Sequence, residues 1–125
     1  MSLALEGSWL PIAAWISGEV LPIGELRVSR LELQRGEYQI FDRQQRLVDS
    51  GEYRCDPNTA PMQLDIVGID GPNAGPTMLA IFEVSEKLLM VCYDMDGTRR
   101  PQSTEPQEDQ VTLVITYARA PPLAS

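Results

Sequence analysis

Two apolar runs, Thr77–Val84 and Leu88–Tyr93, are separated only by Ser85-Glu86-Lys87. Both are built from β-branched, aromatic and long aliphatic residues and bounded by turn chemistry, which is the signature of a β-hairpin rather than a helix. Side chains alternate across a strand, so Leu79, Ile81 and Glu83 point one way while Ala80, Phe82 and Val84 point the other. Both faces are largely apolar, and a hairpin of that kind has to be covered on two sides. The chain is therefore expected to be all-β, with this hairpin in the middle of the fold.

The rest of the sequence supplies the cover. Residues 5–17 read as a first strand in which Pro11 implies an edge, a bulge or a late start. A loop follows, and over 23–29 the apolar phase shifts, which fits either a short helical turn or the start of the next strand. Leu31 and Leu33, then Tyr38 to Asp42, then Arg46 to Cys55, are strands joined by turns at Arg35-Gly36-Glu37 and Arg43-Gln44-Gln45. Asp56-Pro57-Asn58 closes that run, and Met62, Leu64 and Ile66 alternate along the next. Gly71 to Gly75 lacks the lysine, the hydroxyl and the following helix of a phosphate loop, and reads as a strand connection. Val111, Leu113, Ile115 and Tyr117 alternate cleanly in a last strand, after a polar, proline-interrupted segment 95–110 of the kind that is functional or mobile.

Short, evenly spaced strands, about eight of them, predict a small up-and-down antiparallel β-barrel or a sandwich. A length of 125 residues fits one domain, placed over 1–119, with a flexible, proline-broken tail over 120–125.

Composition narrows the function. The chain carries 18 acidic and 10 basic residues, for a net charge of −8, so its surface repels nucleic acid and anionic membrane. It contains no histidine, which removes Ser-His-Asp and Cys-His catalysis, histidine-ligated haem and most catalytic zinc sites. No cofactor is expected, and no enzyme. Cys55 and Cys92 lie in separate strands without CxxC spacing, so they suggest neither zinc nor redox chemistry, and whether they pair is open. Asp94-x-Asp96-Gly97 copies a fragment of a calcium loop without its later ligands. Nothing reaches the roughly 18 apolar residues of a membrane span, and residues 1–4 do not read as a signal peptide. The chain is expected to be soluble, in the cytoplasm or exported after loss of a leader.

The order and spacing of Leu5-x-Gly7-x-Trp9, Gly51-x-Tyr53, Asp56-Pro57, Pro61, Asp65, Gly71-Pro72-Asn73-x-Gly75-x-Thr77, Ala80-Ile81-Phe82-Glu83, Leu88, Cys92 and Arg100-Pro101 carry a resemblance. The chain resembles an uncharacterised bacterial family of lipocalin-like domains, abundant in planctomycetes. Phe82 stands where a tyrosine is common in that family, and no aromatic residue follows the Arg-Pro pair. The resemblance implies a short β-barrel. Gly7-x-Trp9 is also similar to the lipocalin first-strand motif, which implies that Trp9 closes one barrel end beneath an arginine of the last strand, here Arg119. Physically, the glycine lets the backbone bend and a guanidinium can stack on the indole.

A barrel of this size suggests a binder of a small apolar or amphipathic ligand, provided that inward side chains such as Met62, Phe82, Met90 and Tyr117 leave room. Polar residues close to the apolar runs, Glu83, Asp65 and Arg100, are candidates to orient such a ligand, with Tyr53 and Tyr93 as further donors. Arg100 has two possible roles: a fork for a ligand carboxylate, or a latch that pairs with Glu83 or Asp65 and pins the 95–110 loop across the barrel end. A second functional reading is a protein-binding or inhibitor-like module that presents Glu105, Glu108 and Asp109 of that loop to a basic protein partner.

Overall fold

In the computed structural model, nine strands among the described residues form a single antiparallel sheet that closes on itself. They are β1 (Gly7–Ile16), β2 (Glu19–Val20), β3 (Arg30–Gln34), β4 (Glu37–Phe41), β5 (Leu47–Asp56), β6 (Met62–Asp70), β7 (Thr77–Val84), β8 (Leu88–Asp94) and β9 (Thr112–Ala120). The structure describes residues 5–26, 28–56, 58–70, 75, 77–97 and 99–120, with the backbone alone at residue 70. From β3 onward each strand pairs with the next, and β1 pairs with both β3 and β9. The result is a closed, up-and-down barrel of eight strands, all-β as the hairpin requires.

β2 is not one of the eight. It is a two-residue arm on the end of β1, pairing Trp15 with Val20 and Ile16 with Glu19, where the sequence suggested only a loop. Within the barrel β1 serves two neighbours: Gly7 to Trp9 pair with β3, and Ser8 to Ile16 run along β9. Pro11 is accommodated by a register shift between Pro11 and Ala13, a bulge that tolerates the missing N–H. The ambiguous stretch after β2 resolves as a 3₁₀ turn, Ile23–Glu25, with Leu26 extended after it. Ala120, expected to open the C-terminal tail, is the last residue of β9; the rest of that tail and most of the Gly71–Gly75 connection lie outside the described residues.

The strand period decides what faces inward. Leu89 and Val91 point into the barrel and are almost wholly buried, as are Ala80 and Phe82 of β7 and Ile115 and Tyr117 of β9. Burial of a large apolar side chain of this kind stabilises the fold by about 1.5–3 kcal/mol. On the other parity, Glu32, Gln39, Glu52, Arg54 and Asp65 line the outside. Among the described residues no helix is long and apolar enough to cross a membrane.

A second, smaller apolar cluster sits on the outer wall. Ile81, Cys92 and Val114 are buried there with Trp15 and Met90 packed against them, under the loop that joins β8 to β9. Pro101 of that loop is fully buried. Outward apolar residues of the central hairpin thus receive their cover from the polar segment 95–110, and Met90 belongs to this outer layer rather than to the barrel interior.

Candidate functional site

Antiparallel topology sorts the chain into two ends. One end carries Gly7, the β3–β4 and β7–β8 turns and the close of β9; the other carries Ile16, the 3₁₀ turn, the β4–β5 turn and the start of the 95–110 loop. The first end is filled. Leu5, Trp9 and Phe82 are each no more than 2% exposed and pack in the inner core, and the Trp9 indole N–H donates to the Leu5 carbonyl at 2.9 Å. Arg119 lies over the ring with its Cζ 4.1 Å from the centroid, and its guanidinium donates to the Glu6 and Glu86 carbonyls at 2.9 and 2.7 Å. Gly7 is part of this closure: its φ of +134° suits a glycine, and a Cβ there would come within 2.7 Å of Arg119 Nη1.

The opposite end is hollow. Above the plug lies a cavity of about 550 Å³ to which every one of the eight barrel strands contributes. Its wall is mainly aliphatic, with Leu31 and Leu33 from β3, Leu64 and Ile66 from β6, Leu89 and Val91 from β8, and Leu113 and Ile115 from β9. Ile16, Glu25 and Met95 both line the cavity and are exposed, which marks the opening at this end of the barrel. Leu21, Leu26 and Val28, around the 3₁₀ turn, form one side of the mouth. Most of the exposed large apolar residues also gather here: Ile16, Val20, Leu47, Ile69, Met95 and Val111 all sit at strand ends on this side.

Polar groups in the cavity wall are few. All four tyrosines of the chain, Tyr38, Tyr53, Tyr93 and Tyr117, line it, together with Asp49. Asp49 is only 5% exposed, and the Tyr38 hydroxyl donates to its Oδ1 at 3.3 Å. The Tyr93 and Tyr117 hydroxyls lie 2.9 Å apart. Burial pushes the Tyr93 phenol up to about 12 and raises Tyr53 and Tyr117 as well, while Tyr38 is raised by burial and then by the Asp49 charge. The four phenols are therefore neutral hydrogen-bonding groups at ordinary pH.

Two backbone features aim these side chains. Register slips between Ile40 and Phe41 so that Phe41 faces Leu47 and Ile40 faces Asp49, which leaves Val48 as the extra residue of a bulge. Val48 and Asp49, neighbours in sequence, consequently both line the cavity; re-aiming a side chain is what bulges do. Across the ladder, Tyr38 pairs with Gly51. A Cβ on Gly51 would stand 2.2 Å from the Val67 carbonyl oxygen and 2.8 Å from Tyr38 Cε1, so the bare backbone gives the ring its place.

The candidate residues from the sequence are divided between two locations. Tyr53 and Tyr93 are in the cavity wall. Arg100 and Asp65 are brought together, but on the outer wall: Arg100 Nη2 meets Asp65 Oδ1 at 2.5 Å and Nη1 donates to the Leu64 and Ala80 carbonyls at 3.2 and 2.9 Å. Asp65 is out of phase with inward Leu64 and Ile66, and Glu83 is out of phase with inward Phe82, so neither lines the cavity; Glu83 is exposed. The guanidinium thus fastens the 95–110 loop to the side of the barrel, not across its end.

The same loop is tied down at Asp94, which is buried and accepts from the Asp96 and Arg99 backbone N–H groups and from Gln110. The fragment that copies a calcium loop uses its first carboxylate as a loop anchor. Glu105, Glu108 and Asp109 are exposed, and Asp109 pairs with Arg99 at 2.6 Å. Cys92 faces outward beneath the loop, with its thiol 3.6 Å from the Ser103 carbonyl oxygen, while Cys55 packs against the inner core; both are free thiols on opposite faces of the wall.

Comparison with known proteins finds no matching family model, no matching curated protein and no matching solved structure. What stands after the comparison is the barrel itself and the geometry of its cavity.

Tyr38, Tyr117 and Asp49 were not among the candidates from the sequence. For Asp49 a signal was present: it is in phase with Tyr53 and Cys55 along β5, so the alternation that puts Tyr53 inside puts Asp49 inside too.

Proposed function

We propose that this protein is a lipocalin-like carrier or receptor for a small apolar or amphipathic molecule, a binding protein rather than an enzyme. The observation that carries the reading is the cavity: about 550 Å³, open at one end, plugged at the other by Trp9 and Phe82, and walled by aliphatic side chains. That volume falls within the roughly 300–1,000 Å³ of small-molecule sites, which are likewise mostly apolar with a few placed polar groups. Met62, Phe82, Met90 and Tyr117, the side chains large enough to have filled the barrel, leave it hollow because Met90 faces out and Phe82 lies in the plug. The Gly7-x-Trp9 start and the Arg119 guanidinium over the indole support the lipocalin-like part of the reading. An apolar fringe around the mouth supports passage of the ligand through that end.

The test is thermal stability against a panel of long-chain alcohols, acids, amines, retinoids and sterols, with native mass spectrometry of the freshly purified protein. A ligand at about a hundred times its Kd adds roughly 2.7 kcal/mol to stability and raises the melting temperature by several degrees. No shift across the panel, with no co-purified molecule, would remove the basis of the proposal.

A further inference from the structure

Tyr93 and Tyr117 stand on neighbouring strands with their side chains inward, and both line the cavity. Tyr93 pairs with Leu113 near the mouth and Tyr117 with Leu89 nearer the plug, so their hydroxyls, 2.9 Å apart, meet partway down the hollow. Each phenol has one hydrogen to give, and a bond between two hydroxyls uses only one of them. Whichever oxygen donates, the accepting hydroxyl keeps its own hydrogen, and neither has another hydrogen-bond partner among the described residues.

That hydrogen is costly to leave unused. Tyr117 is only 2% exposed, and phenylalanine at either position would fill the same space without a buried polar group to satisfy. Asp49 does not take up the hydrogen, being engaged by Tyr38 and by a further contact. Burial keeps both phenols protonated, so the pair offers a neutral donor to whatever occupies the cavity. A carbonyl oxygen accepts such a bond without bringing a hydrogen that the wall must satisfy in turn. The wall is apolar on both sides of the pair, with Leu113 and Met95 toward the mouth and Leu33 and Leu64 toward the plug. Glu25 and Asp49 are both carboxylates in that wall, and the net charge is −8, which disfavours an anionic ligand.

We infer that the preferred ligand is a neutral apolar molecule with a carbonyl oxygen in the body of its skeleton, and that the Tyr93–Tyr117 pair donates to that oxygen. The inference rests on the reading of the barrel as a ligand binder.

Butyrophenone and butylbenzene share a phenyl group and a chain of equal length and differ only in a C=O against a CH2, while 4-phenylbutanoate has the same carbons with an ionised end. Each is titrated against the barrel loaded with the fluorescent apolar probe N-phenyl-naphthylamine. In Tyr93→Phe/Tyr117→Phe, which keeps both rings, butyrophenone should lose about fivefold or more in affinity relative to butylbenzene, because its carbonyl is then buried without a donor. In the wild-type protein butyrophenone should bind more tightly than 4-phenylbutanoate. A ketone-to-hydrocarbon ratio that the double variant leaves unchanged would move the donor to Tyr53 or elsewhere and overturn the inference, as would a carboxylate that binds as tightly as the ketone. The infrared stretch of the bound, isotope-labelled carbonyl decides the matter in the wild-type protein even if the variant does not fold: a frequency below that in hexane supports the hydrogen bond, and the hexane frequency overturns it. Binding of ketone and hydrocarbon without dependence on the pair refutes the carbonyl head and leaves the binder standing, whereas failure of the probe and all three ligands to bind refutes both.

Discussion

The guanidinium of Arg119 lies over the indole of Trp9, 4.1 Å from the ring centroid, and joins the last strand of the barrel to the first at its closed end. Two backbone carbonyls, of Glu6 and Glu86, hold the same guanidinium from opposite sides. Arg119→Met keeps an unbranched apolar stem and removes the stacking charge and both hydrogen bonds. It is expected to cost about 1–3 kcal/mol in chemical denaturation. An unchanged denaturation midpoint would mean that the contact does not hold the closed end.

Arg100 makes the corresponding bond for the outer wall. Arg100→Met removes the Asp65 ion pair and two bonds to strand carbonyls, and should cost about 1–3 kcal/mol while leaving affinity for cavity ligands unchanged. Cys92 gives an independent readout. Its thiol is fully buried under the same loop and its pKa is raised by burial, so thiol reagents should label it slowly in the wild-type protein and faster in the variant. Lost ligand affinity, or Cys92 labelling that is fast from the start, would contradict the latch.

The four tyrosines set an alkaline limit on stability. Burial raises all four phenols, Tyr93 to about 12, against an ordinary value near 10. Each therefore binds its proton more tightly in the folded state. That contribution is fully present below about pH 10, where the unfolded phenols are also protonated, and is lost as the pH rises toward 12 and the folded phenols must ionise. Phenolate absorbance should stay low through pH 10 and then appear together with loss of the fold. A tyrosine that titrates near 10 in the intact barrel would contradict this burial.

The fold was largely legible because a strand writes its burial into alternate residues: Val111 to Tyr117, and the two runs of the central hairpin, announce strands without further information. β2 was not legible, since Glu19-Val20 is too short to carry a period and forms only where β1 runs past its pairing with β3. In the site, Tyr53 and Tyr93 could be named from the sequence, whereas Asp49 stood in a polar stretch whose inward phase shows only once Tyr53 is placed. Asp65 and Glu83 went the other way. Each is next to buried apolar residues in sequence, but strand parity sends it to the opposite face, and nearness in sequence is not nearness in a sheet. The bulge at Val48 was beyond reach, because nothing in Leu47-Val48-Asp49 marks an extra residue until β4 is laid beside it.

Occupation of the cavity is tested most directly by filling it. Ile66 is half-buried, lines the cavity and lies away from the plug, so Ile66→Trp puts an indole into the ligand's space at a stability cost of about 1–3 kcal/mol. Binding of N-phenyl-naphthylamine is then measured by fluorescence in the wild-type protein and in this variant, each confirmed folded by circular dichroism. The account predicts saturable one-to-one binding to the wild-type barrel and loss of it by about tenfold or more in the filled barrel. Equal binding to both proteins would place the probe elsewhere and contradict the claim that the hollow barrel is the site.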